Sequence, residues 1–399
     1  MSYLEKLLDG VEVEWLPLGE ITKYEQPTKY LVKAKDYHDT YTIPVLTAGK
    51  TFILGYTNET HGIYQASKAP VIIFDDFTTA NKWVDFDFKA KSSAMKMVTS
   101  CDDNKTLLKY VYYWLNTLPS EFAEGDHKRQ WISNYSQKKI PIPCPDNPEK
   151  SLAIQSEIVR ILDKFTALTA ELTAELTAEL NMRKKQYNYY RDQLLSFKEG
   201  EVEWKALEEV SDIYDSLHQT PQYSKNGLSM IRVTDIKNGY IDLKNTLKVN
   251  DGIFSIFTKK YLPQKNDLVM SRVGSYGNVG IIPTDNSACM GQNTVVIHPH
   301  INNRYLFYIL TSSIGQDFIE KNVGGGSQKT LSLKSIKSIP IPLTGESEQS
   351  KIVSILDKFD TLTNSITEGL PREIELRQKQ YEYYRDLLFS FPKPETVSN

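Results

Sequence analysis

An internal duplication constrains this 399-residue chain more than any other feature of its sequence. The segment Lys185–Phe197 returns as Lys379–Phe391 with ten of thirteen positions identical, and Ile158–Phe165 returns as Ile352–Phe359 with seven of eight identical. Both pairs are 194 residues apart, so the intervening stretch has kept one length. Self-similarity at a fixed separation indicates a repeated architecture. The sequence therefore predicts two half-copies, each a variable region followed by a helical region.

Shorter matches mark the borders of the half-copies. An Ile-Pro-Ile-Pro motif stands before each helical region, at 140–143 and at 339–342. Val202-Glu203-Trp204 follows the first helical region and repeats Val13-Glu14-Trp15 near the N-terminus. Residues 4–15 thus resemble the tail of a helical region that enters a variable region. We expect a circular arrangement in which the two chain ends are adjacent.

The helical regions are predicted from periodicity and from the absence of breakers. Residues 151–197 contain no Pro or Gly, and apolar residues recur every three or four positions, which is typical of an amphipathic helix. We expect a rod of roughly 60 Å at about 1.5 Å per residue. The second copy, 348–391, is expected to pack against it as an antiparallel coiled coil. Gly369-Leu370-Pro371 predicts a kink or a fresh helix start in that copy, since Pro lacks a backbone donor.

The first helix contains a tetrapeptide, Thr-Ala-Glu-Leu, three times in succession at 169–180. Four helical residues add about 6 Å and rotate the helix end by about 40° beyond a full turn. One base pair of B-DNA advances about 3.4 Å and turns about 36°. A change in repeat number would therefore shift an attached domain by roughly one or two base-pair steps. The alternative is a low-complexity helix whose length has no such meaning.

The variable regions have strand-like alternation, aromatic residues and turn signals. Short strands are expected at 71–74, 96–98, 268–270 and 294–297, and single helices at 107–118 and 304–319. The predicted fold class is α+β, with two such domains separated by two long helices in a pseudo-two-fold circular repeat. The predicted boundaries are 1–146 and 199–343 for the variable domains, and 147–198 and 344–399 for the helical regions.

A polar, partly basic loop ends each variable region. Alignment on the Ile-Pro-Ile-Pro motifs places Lys128, Arg129 and Gln130 opposite Ser327, Gln328 and Lys329. Arg, Lys and Gln side chains suit guanine and adenine edges in the major groove, and also phosphates. The alternative is an ordinary solvated loop. We expect Gly274-Ser275-Tyr276-Gly277 to form a turn, and one interpretation places this turn beside DNA.

Composition excludes several classes of function. The three cysteines are scattered, so they predict neither a disulfide framework nor a metal site, and His298 and His300 form the only close histidine pair. The run Gly324–Thr330 has Gln328 where a phosphate loop requires Gly. Asp76, Asp87 and Lys89 are a weak match to nuclease residues.

The sequence has no signal peptide or spanning segment, so we expect a cytoplasmic protein. A net charge of −3 is indecisive, because partners can supply phosphate contacts.

The order of these regions and several motifs resemble the specificity subunits of type I restriction-modification systems. The similar segments are Gly324–Leu333 with Ser338–Pro342 and Glu348–Asp357, Met230–Ile241, and Leu268–Gly277. The Thr-Ala-Glu-Leu run is similar to the spacer of the type IC branch. The first variable region lacks the Gly-Ser-Gln-Lys motif found at 326–329 in the second.

The resemblance implies a DNA-recognition subunit that is not an enzyme. Each variable domain would read one half of a bipartite, asymmetric target in double-stranded DNA. Two modification (methyltransferase) subunits would bind the helices, and restriction subunits would join them. S-adenosylmethionine, ATP and Mg²⁺ would then belong to these partners, with no cofactor in this chain.

We therefore predict a set of DNA contacts and keep two other functions open. The predicted contact residues are Lys128, Arg129, Gln130, Arg272, Ser275, Tyr276, Ser327, Gln328 and Lys329. One alternative function is a coiled-coil assembly scaffold whose end domains bind proteins. The other is a self-sufficient DNA enzyme, which the missing catalytic motifs disfavour.

Overall fold

The computed structural model describes residues 3–33, 36–47, 51–119, 129–237 and 239–393. The chain divides into two compact units. Unit 1 comprises Met1–Leu172 and Leu376–Asn399, and unit 2 comprises Thr173–Glu375. Each unit therefore combines one variable region with parts of both helical regions.

Most elements of unit 1 belong to the first variable region. They are α1 (Tyr3–Leu8), β1 (Val13–Pro17), α2 (Leu18–Ile21), β2 (Thr22–Glu25), β3 (Ile43–Leu46), β4 (Ile53–Thr57), β5 (Val71–Asp75), β6 (Asn81–Val84), β7 (Lys89–Ala90), β8 (Met95–Ser100), α3 (Leu108–Leu115), α4 (Gln130–Ser133) and β9 (Lys139–Pro143). The long helix α5 (Pro148–Leu194) follows and has 47 residues. The absence of Pro and Gly after its first residue explains why it is unbroken.

Unit 2 contains the second variable region. Its elements are β10 (Glu203–Ala206), β11 (Ser211–Asp215), β12 (Leu228–Ile231), β13 (Ile236–Lys237), β14 (Gly239–Ile241), β15 (Leu247–Val249), α6 (Asp251–Phe257), β16 (Leu268–Ser271), β17 (Val279–Ile281), β18 (Ala288–Met290), β19 (Thr294–Pro299), α7 (Asn303–Thr311), α8 (Ser313–Asn322), α9 (Leu333–Lys337), β20 (Pro340–Leu343) and α10 (Glu346–Asn364). The last helix, α11 (Gly369–Leu388), begins in unit 2 and ends in unit 1.

The two variable regions share their sheet order. The main sheet runs β2-β8-β5-β6 in unit 1, and β11-β19-β16-β17 in unit 2, where β14 and β13 extend it. A second sheet pairs one strand antiparallel on one side and parallel on the other, as β4-β3-β7 and as β15-β12-β18. The Ile-Pro-Ile-Pro strands β9 and β20 pair with β1 and β10. The mixed helix and sheet content agrees with the predicted α+β class.

The four predicted strands are confirmed, since they lie in β5, β8, β16 and β19. The predicted helix at 107–118 is α3, whereas the single helix predicted over 304–319 is wrong. That segment forms α7 and α8, which are separated by Ser312 with extended backbone (ψ 173°). Gly315 lies so close to the end of α7 that a Cβ there would be 2.6 Å from the Leu310 carbonyl oxygen. The close turn between the helices explains the break.

The predicted interruption of the second helical region is confirmed. α10 ends at Asn364 and α11 begins at Gly369, with Pro371 in its first turn, where the missing N–H breaks no helical bond. Gly369 has a φ of +77°, and a Cβ there would be 2.4 Å from the Thr361 carbonyl oxygen. Both the backbone conformation and the close approach require glycine.

Aromatic stacking joins the helical segments within each unit. In unit 1 the ring of Phe165 on α5 stacks on Tyr384 of α11, with centroids 5.4 Å apart. In unit 2 Tyr190 of α5 stacks on Phe359 of α10, with centroids 5.5 Å apart. The two pairs are related by the 194-residue repeat, with the partners exchanged between the helical regions.

Each helical region also binds the closing helix of its own variable region. Asp163 on α5 accepts a hydrogen bond from the Tyr113 hydroxyl of α3 and forms an ion pair with Lys109 of the same helix. Its repeat equivalent Asp357 on α10 accepts from Tyr308 of α7 and pairs with Arg304. One polar contact thus recurs in both half-copies.

The described segments nearest the two chain ends pack in the core of unit 1. Leu4 and Leu8 of α1 share a buried cluster with Phe389 and Phe391. The Trp15 indole N–H donates to the Pro392 carbonyl oxygen at 3.0 Å. Within this unit, residues 4–15 are therefore adjacent to residues 389–392, as the expected circular arrangement requires.

Candidate nucleic-acid interface

Two segments of unit 2 that are far apart in sequence lie side by side. The turn 272–277 follows β16, and the loop 324–330 follows α8. Val273 forms an antiparallel bridge with Thr330, and the Leu331 N–H donates to the Arg272 carbonyl oxygen at 2.8 Å. The structure thus brings together the six contact residues predicted in the second variable region.

The loop 324–330 is a closed, exposed turn. Gly324 and Thr330 exchange two backbone hydrogen bonds, of 3.1 and 2.7 Å. Gly325 has a φ of +112°, and a Cβ there would be 2.5 Å from the Gln328 carbonyl oxygen. This geometry requires glycine and presents Ser327, Gln328 and Lys329 to solvent.

Glu320 on α8 joins the two segments. The Tyr276 hydroxyl donates to its carboxylate at 2.7 Å, and the Lys329 ammonium donates at 3.3 Å. The Tyr276 hydrogen bond, and then Lys329, lower the pKa of Glu320 below its usual value. The pKa values of Tyr276 and Lys329 are raised in turn by Glu320. Ser275, next to Tyr276, is exposed.

Arg272 holds the base of this surface together. Its guanidinium makes two hydrogen bonds to the Asp215 carboxylate, at 2.8 and 2.9 Å, and its Nε donates to the Leu331 carbonyl oxygen at 3.1 Å. The Arg272 side chain is only 12% exposed. The geometry gives Arg272 a positioning role, because two of its three guanidinium nitrogens already donate to Asp215 and Leu331. Direct contact with DNA stays a prediction.

The first variable region places two of its three predicted residues. Arg129 is exposed and precedes α4, and Gln130 begins that helix. Lys128 lies outside the described residues. The N–H groups of Gln130 and Trp131 donate to the carbonyl and carboxylate oxygens of Asp76, at 2.8 and 2.9 Å. Asp76 therefore holds the start of α4, the helix that follows this loop in sequence.

A buried ion pair stabilises that attachment. The second carboxylate oxygen of Asp76 lies 3.3 Å from the Lys96 ammonium, and both side chains are 0% exposed. Within the described part of the chain, neither of these two atoms has a hydrogen bond. Lys96 also lies over the Tyr24 ring, 5.3 Å from its centroid.

Asp76 and Arg272 occupy equivalent positions in the two sheets. Each directly follows the third strand of its sheet, β5 or β16. Their N–H groups donate to Ala94 and Asn293, and their carbonyl oxygens accept from Gln130 and Leu331. Gln130 thus matches Leu331, so the alignment on the prolines is wrong by two residues at this loop. The two-residue excess lies between the loop and the Ile-Pro-Ile-Pro motif, and the corrected count aligns Lys128 with Lys329 in sequence.

Sequence reasoning missed Asp215, Glu320 and the Asp76–Lys96 pair. Each acts through a partner at least nine residues away, and no local pattern signals such a contact.

The residues of the weak nuclease match are bound elsewhere. Asp87 accepts hydrogen bonds from Ser67, and the Lys89 ammonium lies 2.9 Å from Glu59 and 2.6 Å from the His61 carbonyl oxygen. Among the described ranges, no group of three His, Cys, Asp or Glu side chains has metal-binding geometry. None of the helices placed in the structure combines the length and apolar composition needed to cross a membrane.

Comparison with known proteins finds one family whose members are similar to this chain over both half-copies. The family model described as the type I restriction modification DNA specificity domain matches residues 10–182 and 199–376. The specificity subunit of type I restriction enzyme EcoR124I/EcoR124II of Escherichia coli is 68% identical over 407 aligned residues, covering 100% of this chain and 99% of that protein. The EcoprrI specificity subunit of Escherichia coli is 35% identical and covers 92% of each chain.

A solved structure supports the fold. A chain from a study of complex assembly and conformational transition of the type I R-M system aligns with a TM-score of 0.55, covering 94% of this chain and 97% of that chain. Its sequence identity is 15%, so the likeness concerns the fold alone.

Proposed function

The chain belongs to the family of type I restriction-modification DNA specificity subunits, which are not themselves catalytic, and from this we propose that its two variable regions read the two halves of a bipartite, asymmetric DNA target. The carrying observation is that both domains hold the residue after a polar loop at the same sheet position, Gln130 on Asp76 and Leu331 on Arg272, while the loop sequences differ. A shared frame with different loops suits two readers of different sequences.

For the second domain, the contact surface is the turn 272–277 with the loop 324–330. Ser275, Tyr276, Ser327, Gln328 and Lys329 lie on it, and Arg272 supports it from below. For the first domain, Lys128, Arg129 and Gln130 are the proposed contacts. Exposed amide, hydroxyl and ammonium groups can reach base edges and phosphates in the major groove.

The helical regions form an antiparallel coiled coil with pseudo-two-fold symmetry, and its length sets the gap between the half-sites. Support comes from the two equivalent stacks, Phe165 on Tyr384 and Tyr190 on Phe359. The Thr-Ala-Glu-Leu run is the element that changes this length, because four residues correspond to about 6 Å of helix.

The same helices dock two modification subunits. Tyr189 and its repeat equivalent Tyr383 are 61% and 64% exposed, and each packs edge-on against a neighbouring tyrosine with centroids 5.4 Å apart. Two equal exposed aromatic sites suit two copies of one partner, since tyrosine is enriched at protein interfaces. Restriction subunits, S-adenosylmethionine, ATP and Mg²⁺ join through these partners, in the cytoplasm.

Selection from a random duplex library tests the reading function. The chain is co-purified with a modification subunit, and bound duplexes are recovered at several salt concentrations. We expect two different short motifs at one fixed spacing. Deletion of Thr173–Leu176 should keep both motifs and change only the spacing. A stable complex that enriches no motif would instead favour an assembly scaffold.

A matched pair of variants tests the docking sites. Tyr189→Ala and Tyr383→Ala should each weaken the binding of one modification subunit, which sedimentation of the complex measures. Tyr223→Ala, an exposed tyrosine of the second variable region, is the control. Unchanged assembly in both helix variants would remove the tyrosines from the docking surface.

A further inference from the structure

Unit 2 contains a cavity of about 490 Å³ between the end of β11 and the helix α6. Its walls include Tyr214 and Ser216 from the β11 side, and Ile256 and Tyr261 from the α6 side. Its size and mostly apolar walls with a few polar groups are typical of small-molecule sites. We refer to it as the β11–α6 cavity.

One wall is a fixed aromatic stack. The rings of Tyr214 and Tyr261 are nearly parallel, with an interplanar angle of 6° and centroids 3.9 Å apart. The Tyr261 hydroxyl donates to Asp267 at 2.7 Å and lies 3.1 Å from Nδ1 of His298. These bonds hold the stack in place without any ligand, so a further flat ring that enters the cavity can extend a preformed surface.

One lining residue of the cavity, Ser216, carries a buried polar atom that lacks a partner among the described residues. Ser216 is 7% exposed, and its buried hydroxyl makes no hydrogen bond with any described residue. A buried hydroxyl without a partner is costly, and a ligand with a donor or acceptor on its edge would satisfy it. This observation points to a polar-edged ligand rather than to a purely apolar one.

The surroundings of the cavity suit an anionic ligand, and they connect the cavity to the proposed DNA-contact surface. Lys259 and Lys260 line it with exposed side chains that have no carboxylate partner in the described part of the chain. Asp215 lines it too, and the same carboxylate binds Arg272 at the base of the proposed DNA surface. The cavity therefore adjoins the site where this chain is proposed to hold a duplex.

We propose that the β11–α6 cavity receives a nucleobase turned out of the bound duplex, with Lys259 and Lys260 on the flanking phosphates. The base stacks against the Tyr214–Tyr261 wall, and its polar edge bonds the Ser216 hydroxyl. Base stacking on aromatic side chains is a general mode of nucleic-acid recognition. The inference rests on the proposed function, because it requires a specifically bound duplex.

Abasic scanning tests the proposal. The complex of the full chain with its modification subunits is titrated with its selected duplex and with duplexes that lack one base at successive positions. In the unsubstituted complex, loss of the received base should weaken binding on the order of tenfold. Ile256→Trp, which fills the cavity, should abolish that penalty at the same position and leave the penalties at other positions unchanged.

Two further variants separate a blocked cavity from a damaged fold. Ser255→Trp places the same ring on an exposed α6 residue outside the cavity walls and should behave like the unsubstituted chain. Ser216→Ala should weaken binding of the intact duplex several-fold and leave binding of the matching abasic duplex unchanged. Equal abasic penalties in the unsubstituted and Ile256→Trp complexes at every position would overturn the proposal.

The free nucleotide is the other source of the same ligand chemistry. Titration of deoxynucleoside monophosphates without DNA should show no saturable binding. Binding that Ile256→Trp abolishes would overturn the DNA-base assignment in favour of a free nucleotide. A complex that prefers its target over random duplex, but fails the abasic test, loses only this inference. A complex without any sequence preference loses the proposed function as well.

Discussion

The two variable regions anchor the residue that follows their polar loop at one sheet position, by opposite chemistry. In the first, a carboxylate, Asp76, follows the strand and is neutralised inside the protein by Lys96. In the second, a guanidinium, Arg272, follows the strand and is neutralised by the part-exposed Asp215. The backbone bonds around both residues are the same. The shared backbone hydrogen bonds therefore fix where the chain is held, while the charge of the side chain at that position, Asp76 or Arg272, differs between the two regions.

The strongest way to break the comparison is to remove the buried cation. Lys96→Met leaves the Asp76 carboxylate without its counter-ion at 0% exposure. We expect unfolding free energy to fall by about 3–5 kcal/mol, because an uncompensated buried charge is costly. Denaturant unfolding of the chain in its complex, followed at Trp131, measures it.

A double variant is the control for this result. Asp76→Asn with Lys96→Met removes both charges, keeps an acceptor for the Trp131 N–H, and should recover more than half of the loss. A loss below about 1 kcal/mol in the single variant would show that water reaches the pair and that it resembles a surface ion pair.

The Arg272–Asp215 ion pair should contribute less to stability than the Asp76–Lys96 pair, because its side chains are 12% and 18% exposed. Arg272→Met should cost about 1–3 kcal/mol through the lost charge-assisted hydrogen bonds. It should also weaken reading of the second half-site only, which selection from a library with the first half-site fixed measures.

A second substitution distinguishes positioning from base reading at Arg272. Asp215→Leu with Arg272→Met removes the unpaired carboxylate and should restore stability and most of the DNA affinity if Arg272 only positions the loop. If affinity stays low while stability returns, Arg272 itself contacts DNA. The sequence predicted the latter role, and the ion pair favours the former.

The sequence predicted the features that depend on local pattern and missed those that depend on contacts between distant residues. Periodicity sufficed for α5 and for four strands, and the Gly369-Leu370-Pro371 motif sufficed for the break before α11, because these depend on local sequence. Periodicity failed at Ser312, because the tight turn between α7 and α8 does not interrupt the recurrence of apolar residues. It also missed Lys96, which looks like a surface lysine in β8 until the fold places Asp76 beside it. Long-range pairing of charges has no local signature.

The corrected register makes a smaller prediction about the loops. If Lys329 and Lys128 occupy matching places, Lys329→Gln and Lys128→Gln should have like effects at opposite half-sites. For phosphate contacts, each should weaken specific and random duplexes equally and reduce the salt slope by about one. A loss confined to one base position in either variant would identify base reading instead. Fluorescence titrations over a range of salt concentrations measure the slope.

The smallest expected effect concerns the joint at Glu320, which has no counterpart among the contacts of the described part of the first domain. Its folded pKa lies below the usual value, so the joint is formed at neutral pH and is lost as the pH falls through that lowered pKa. The Tyr276 hydrogen bond is the largest cause. Tyr276→Phe should therefore raise the pKa of Glu320 more than Lys329→Gln does, as carboxylate NMR titration would show. The reverse order would make the Lys329 ammonium the main support, and the joint would then weaken with salt, since exposed ion pairs are screened.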